Sequence, residues 1–484
     1  MKKIQLFVVA LSLMAFLSAG SSESSSADYR QAVFSNGMFR ITSGGKYVLS
    51  GKQEGQVFIQ AAKNDVVELV LDNLTLNNPN GPAIYAPRAK RVELILLDGS
   101  VNTISDGKHS NDNSNDNSAV IFVQNDLVIS SNGTGKGTLN IAANFQHGIR
   151  AQDTLTIKSG VVNIKAVGDA LRGRDAVIVE AGTFSLTAGG DGIQSNNDVN
   201  AERGYVTING GTFTINAQDD GIQAESSVTI NGGSLTMAVK DDGITAKGSV
   251  LITGGTISVT ECYEGIEGLN VTIKGGNIDI FSRDDGINAR EYVATTSNVR
   301  SRFPMGRQPM GRPTNENIYV RITGGNIHVH GTTDGIDSNN NIFLEGGTLR
   351  ISGPSMGMEG AIDFDGTMLI SGGTLVTAGS VTSVSPQSKQ PAVIVGYNQQ
   401  QPNGALIELR DSSGKTILDY TAKTSFYMSA FTSPDLVIGK TYSLYVNKQK
   451  VQDITLSSLV TAVGNSNFYR GGFGGPGGAS RGRW

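Results

Sequence analysis

The sequence predicts an all-β fold: a parallel β-helix with three short strands per coil of about 22 residues, followed by a small C-terminal β cap. Three observations carry this. First, from about residue 148 the phrase Asp-Gly-Ile recurs with variants and sets an apolar anchor at Ile149, Leu171, Ile193, Ile222, Ile244, Ile266, Ile287, Ile336 and Ile362. Most anchors stand 21 or 22 residues apart, and insertions at about 195–203 and 291–317 stretch two intervals to 29 and 49. Second, apolar and polar residues alternate at period two, which sends one set inward and the other outward. One unit reads Gly243-Ile244-Thr245-Ala246, then Val250-Leu251-Ile252, then Thr256-Ile257-Ser258-Val259. Third, glycine pairs such as Gly254-Gly255 and Gly275-Gly276 stand where the chain must bend between runs. Helical solenoids need a period of 3.6, which is absent, and nonapeptide calcium rolls need a nine-residue glycine period, also absent.

Taken in order, Lys2 and Lys3 precede an apolar run over 4–17 and small residues at Ser18, Ala19 and Gly20, the pattern of a signal peptide over 1–20. The same stretch is close to a lipobox but lacks the Cys that would be acylated. A linker over 21–33 leads into the β-helix, expected over 34–377. Its first coils are the less regular runs Val66-Val67-Glu68-Leu69-Val70-Leu71, Val92-Glu93-Leu94-Ile95-Leu96-Leu97 and Val120-Ile121-Phe122-Val123. An Asn/Asp/Ser excursion interrupts them over 109–118. Antiparallel strands over 378–463 would cap the open end, where a solenoid otherwise exposes unpaired edges. A Gly/Arg-rich tail over 464–484 is expected to be disordered. No later stretch reads as a transmembrane helix, so an exported, soluble or surface-associated monomer is expected.

Composition removes several functional classes. The chain has 484 residues, with 62 Gly and 12 Pro but no Gly-X-Y period, so it is not collagen. One Cys rules out a disulfide framework and a cysteine-based metal site, and four His leave little for a histidine-rich centre. A net charge of −4 gives no basic footprint for nucleic acid.

The whole-chain charge hides a strong local one. Over 169–290 there are 17 acidic against 8 basic side chains. Stacking the coils turns the position two before each anchor into a row: Asp169, Asp191, Asp220, Asp242, Glu264, Asp285 and Asp334. The position three before adds Asp219, Asp241 and Asp284, and the position one after adds Glu267, Asn288 and Asp337. Adjacent strands lie about 4.8 Å apart. Two bare charges at that distance repel by roughly 3 kcal/mol at an effective dielectric near 20. Two readings stand open. Each Asp caps a turn by accepting backbone N–H groups, or the rows hold hard cations. Ca²⁺ takes six to eight oxygens from carboxylates and carbonyls, whereas Mg²⁺ retains waters and uses fewer protein ligands. The candidate metal ligands are therefore Asp191, Asp219, Asp220, Asp241, Asp242, Glu264, Glu267, Asp284, Asp285, Asn288, Asp334 and Asp337.

These Asp-Gly-Ile coils with Gly-Gly bends resemble the bacterial secreted carbohydrate-binding β-helix family of cellulolytic clostridia, itself similar to family 9 pectate lyases. Further support comes from Leu69-Val70-Leu71-Asp72-Asn73-Leu74-Thr75-Leu76 and Glu93-Leu94-Ile95-Leu96-Leu97-Asp98-Gly99-Ser100-Val101-Asn102. The resemblance runs from about 34 to 450. It implies a right-handed helix, bound Ca²⁺, and binding of plant polysaccharide, both cellulose and acidic polygalacturonate. It also implies that Asp219, Asp220, Asp241 and Asp242 match the acidic positions with which the lyases hold Ca²⁺. A Ca²⁺-dependent lyase with a Lys base, and a structural surface adhesin, are the alternatives to a non-catalytic binder.

A negative face repels polygalacturonate unless a bound cation reverses its local sign. Arg300 and Arg302, with Arg307 and Arg312 in the same insert, offer guanidinium forks for carboxylates. Lys240 and Lys247 are the further candidate ligand-binding cations, and with Lys274 they are the bases nearest the acidic rows. His328 and His330 share a strand face without a third ligand in view. Gly353-Pro354-Ser355-Met356-Gly357 fits a nucleophile-elbow pattern, but in a solenoid bend without a His partner. Cys262 reads as a packed thiol, and Tyr205, Tyr263 and Tyr292 as candidate sugar-stacking rings.

Overall fold

The structure is a computed structural model and describes residues 29–107, 118–292, 315–354 and 359–465. All regular elements among them are strands. The proposed signal peptide, the 109–117 excursion, Arg300, Arg302, Arg307, Arg312, Ser355 to Gly357 and the tail from 466 lie outside the described residues.

Most strands belong to one large, mainly parallel sheet, and a separate four-stranded sheet is antiparallel. The anchors form one ladder. Ile193 pairs with Ile222, Ile222 with Ile244, Ile244 with Ile266, Ile266 with Ile287, Ile287 with Ile336 and Ile336 with Ile362. The seven-residue lengthening after Ser195 and the long insert after Tyr292 therefore leave the register intact. A second ladder joins Val206, Val228, Val250, Val271 and Val320. A third joins Phe184, Phe213, Leu235, Ile257, Ile278 and Ile327.

Alternation fixes which side faces in. In Thr183–Ala188 and Thr212–Ala217 every second residue is buried and the others are exposed. Ile222, Ile244, Ile266 and Ile287 are fully buried, as are Val228, Val250 and Val271. The rings of Phe184 and Phe213 stack 4.4 Å apart and nearly parallel, so like side chains meet across these two coils. The larger apolar core runs from Ile41 to Ala430.

Two glycine positions make this stacking tight. Gly255 has φ of 97°, and a Cβ there would meet the Gly233 carbonyl oxygen at 3.0 Å. Gly243, before the anchor, would drive a Cβ to 2.6 Å from the Gly265 oxygen. Each is excluded from carrying a side chain by the neighbouring coil.

After Ala378 the pattern changes. Phe426–Thr432 pairs antiparallel with both Met368–Ala378 and Ala392–Gln401. This covers the last ladder edge, and a second core forms around Val393, Ile407, Leu409, Phe426 and Leu444.

Candidate metal-binding face

The anchor ladder carries the acidic rows on its outer side. Because Ile222, Ile244 and Ile266 point inward, the residue after each points outward, and pairing sets these in line: Arg172, Gln194, Gln223, Thr245, Glu267, Asn288, Asp337 and Asp363. Opposite runs the row two residues before the anchors. Asp191 accepts the Asp220 N–H at 3.0 Å, Asp220 the Asp242 N–H at 2.9 Å, and Asp242 the Glu264 N–H at 3.1 Å, always through Oδ1. Asp169 does the same for Asp191 at 2.9 Å, and Asp285 for Asp334 at 3.0 Å. The carboxylates do accept backbone donors, but from the next coil rather than from their own turn. One oxygen of each is thereby committed; Oδ2 of Asp191 also takes the Gln194 amide, Oδ2 of Asp285 the Asn288 amide, and Oδ2 of Asp169 meets His147 and Arg172.

Among the described residues four groups of carboxylates result, each able to bring one oxygen per residue within 4.8 Å of the others. They are Asp191 with Asp219 and Asp220, Asp220 with Asp241 and Asp242, Asp242 with Glu264 and Glu267, and Asp334 with Asp337 and Asp363. Nine of the twelve candidate ligands read from sequence fall in them. Asp284 and Asp285 do not, and Asn288, an amide and so outside these carboxylate groups, donates through Nδ2 to Glu264 at 3.1 Å and to Asp285 at 3.2 Å. Asp363 was missed because Gly360-Ala361-Ile362-Asp363 lacks the preceding Asp. Its position one after the anchor, shared with Asp337, was the available signal.

The electrostatics are costly. Burial, then the Asp169 charge, pushes Asp191 up to about 7. Burial first and neighbouring carboxylates next hold Asp220, Asp242 and Glu264 well above the ordinary range. Asp285 rises to about 8 and Asp337 to about 7, again mainly by burial. Asp334 reaches about 10, through burial and then a hydrogen bond with Glu359. Glu267 goes the other way. Burial raises it, but the Arg290 guanidinium, donating to both its oxygens at 2.8 Å, outweighs this and holds it low. At the opposite end Asp169 is held low against burial by His147 and Arg172. Arg172 with His147 thus meets the row at Asp169, and Arg290 meets it part-way along, at Glu264 and Glu267, before it runs on to Asp285 and Asp334; sequence reasoning found neither.

Among the described residues four buried amide oxygens have no donor; Asn196 Oδ1 is one, and the other three lie in the line one after the anchors. Asn288 Oδ1, Gln194 Oε1 and Gln223 Oε1 are buried and make no hydrogen bond, and Asn288 as a whole is 4% exposed. Buried acceptors are ordinarily satisfied. Carbonyl oxygens beside carboxylates are the donor set a hard cation takes, so the residues present fit Ca²⁺.

The remaining candidates separate. Lys240 pairs with Glu261 and Lys247 with Glu225, both at 2.6 Å, and Lys247 also lies 4.5 Å from the Tyr292 ring centre. Tyr263 and Tyr292 are exposed beside the acidic rows. His328 and His330 join none of the four groups. His328 instead sits 3.5 Å from Arg350, and His330 packs edge-on against Phe281. Cys262 is fully buried.

The chain belongs to the carbohydrate-binding domain-containing protein family, whose model matches residues 35–286 and 237–393. A carbohydrate-binding domain-containing protein of Acetivibrio thermocellus is 33% identical over 131 residues, 26% of this chain and 44% of that protein. The chain thus spans less than half the length of the curated relative it matches. Among solved structures, the polysaccharide lyase-like protein from C. thermocellum, in a gadolinium derivative, is 32% identical and covers 46% of this chain and 89% of that one, with a TM-score of 0.44. Among the described residues no helix is long and apolar enough to cross a membrane.

Proposed function

We propose that the protein is an exported, monomeric, right-handed β-helix with three strands per coil that holds Ca²⁺ on its acidic face and binds plant cell-wall polysaccharide without catalysis. Polygalacturonate is the acidic ligand this face suits, and cellulose the neutral one implied by the sequence resemblance. The supporting observation is the set of buried amide oxygens without donors, Asn288 Oδ1, Gln194 Oε1 and Gln223 Oε1, among carboxylates raised by mutual burial.

Asp191, Asp219 and Asp220 would hold one ion, Asp220, Asp241 and Asp242 a second, Asp242, Glu264 and Glu267 a third, and Asp334, Asp337 and Asp363 a fourth. Bound Ca²⁺ supplies positive charge that offsets the repulsion of the rows and an open position for a uronate carboxylate. Arg290 orients Glu267, and the inter-coil N–H bonds fix Oδ1 of Asp191, Asp220 and Asp242.

Calorimetry with and without chelator tests the reading. An ion that binds only the folded chain stabilises it by about 2.7 kcal/mol at 100 times its dissociation constant. Chelation should lower the melting temperature and weaken polygalacturonate binding together. Asp241→Asn with Asp242→Asn should reproduce part of both losses. Identical melting curves with and without chelator would end the calcium assignment. Release of unsaturated uronate from polygalacturonate, followed by absorbance, would replace binding with lyase activity.

A further inference from the structure

A groove on another face of the solenoid has no part in the acidic rows. It is formed on the second ladder, where Tyr319 pairs with Asn341, Arg321 with Phe343, and Phe343 with Leu369. These residues alternate with the buried Val320, Ile342 and Met368, so their side chains face outward. A hollow of about 440 Å³ opens over Tyr319, Arg321, Asn340, Asn341, Phe343 and Thr367, with Glu316 also lining it. A second, of about 230 Å³, shares Arg321 and Phe343 and continues past Leu369 to Lys389.

The chemistry is that of a sugar site. The Tyr319 and Phe343 rings meet edge to face at 6.1 Å, giving two apolar surfaces at an angle. The Arg321 guanidinium lies 4.2 Å from the Phe343 centre and 5.5 Å from that of Tyr319, and pairs with Glu345, which fixes it and neutralises its charge. Asn341 Oδ1 accepts the Thr367 N–H at 3.0 Å, and Asn340 Nδ2 donates to the Asn315 carbonyl at 3.0 Å. Asn341 is held by its oxygen and its Nδ2 is left for a ligand hydroxyl, while the buried Asn340 shapes the wall. Gly366 closes this wall, because a Cβ there would stand 2.5 Å from Asn340 Oδ1 and 2.6 Å from Asn341 Oδ1. Partly exposed rings, held amides, a hydroxyl and an internally neutralised arginine match the apolar faces and hydroxyl rims of an uncharged pyranose chain.

We propose that this groove is a saccharide subsite for a neutral oligosaccharide, working independently of the ions on the acidic face. Titration calorimetry of the full chain with cellohexaose in the presence of chelator tests it. Cellohexaose should bind, and Phe343→Ala or Tyr319→Ala should weaken it by about tenfold or more, as truncating a buried contact anchor does. Thr367→Trp, which fills the hollow from its rim, should do the same with the rings intact. Melting temperatures check that each variant is folded. Replacing chelator with Ca²⁺ should leave cellohexaose affinity unchanged. Absence of binding in chelator, or wild-type affinity in folded Phe343→Ala and Thr367→Trp, would overturn the assignment. Loss of calcium-dependent polygalacturonate binding would instead strike the acidic-face reading and leave this one standing.

Discussion

Asn288 shows how a single side chain separates the two readings of the acidic rows. Its Nδ2 donates to Glu264 and Asp285, while its buried Oδ1 has no donor. In a turn-capping role that oxygen has nothing to do, and an unsatisfied buried acceptor costs about 1–3 kcal/mol. In a cation site it is a ligand. Asn288→Asp keeps the oxygen, removes both donated bonds and adds a charge. Without metal the variant should melt below the parent, since Glu264 and Asp285 lose a donor and gain a repelling neighbour. With Ca²⁺ the added carboxylate becomes an asset, so the calcium-induced rise in melting temperature should exceed that of the parent. An unchanged rise, measured by differential scanning calorimetry, would show that Asn288 lies outside any ion's reach.

At the scale of the strand, the interior columns carry the fold. Ile244 is fully buried between Ile222 and Ile266, and its neighbours repeat the same contacts. Ile244→Val removes one methylene and should cost about 0.5–1.5 kcal/mol. Ile244→Asp places a charge where only apolar atoms meet it, and because each coil packs on its neighbours the loss should spread along the solenoid. Hydrogen exchange should show protection lost in Ile222–Ala224 and Ile266–Ile273 together, and a loss confined to Ile244–Ile252 would argue against coil-to-coil transmission. This column was legible because Asp-Gly-Ile marks it at near-constant spacing. Ile193 and Ile222 are read correctly across a 29-residue interval because the phrase resumes intact after the insertion. The acidic rows were legible for the same reason, since a repeat turns one position into a line. What the repeat did not mark was lost. Arg290 and the His147–Arg172 pair meet the rows only once each, and Gln194 and Gln223 are neutral, so a search for charge passed over them. Tyr319 and Phe343 lie on adjacent strands but 24 residues apart, and only pairing brings them to one groove.

For the whole molecule, the acidic face makes stability depend on pH in an unusual direction. Carboxylates in folded proteins more often titrate low, so folding strengthens as pH rises. Here Asp191 and Asp337 titrate near 7, Asp285 near 8 and Asp334 near 10, against about 3.9 in an unfolded chain. Between those limits the folded state binds more protons than the unfolded one, so their contribution is complete below about pH 4 and drains away as pH climbs through 7 and 8. Asp169 and Glu267, held low by His147 and by Arg290, act oppositely, but only as pH falls below about 4. The metal-free protein should therefore melt at a lower temperature at pH 8.5 than at pH 5. Saturating Ca²⁺ should reverse the order, because the ion replaces the proton as the partner of the buried oxygens and binds best when they are ionised. Circular-dichroism melts at the two pH values, with and without Ca²⁺, measure both signs at once. A metal-free protein more stable at pH 8.5 than at pH 5 would mean that water reaches the rows freely, and that nothing about them demands a cation.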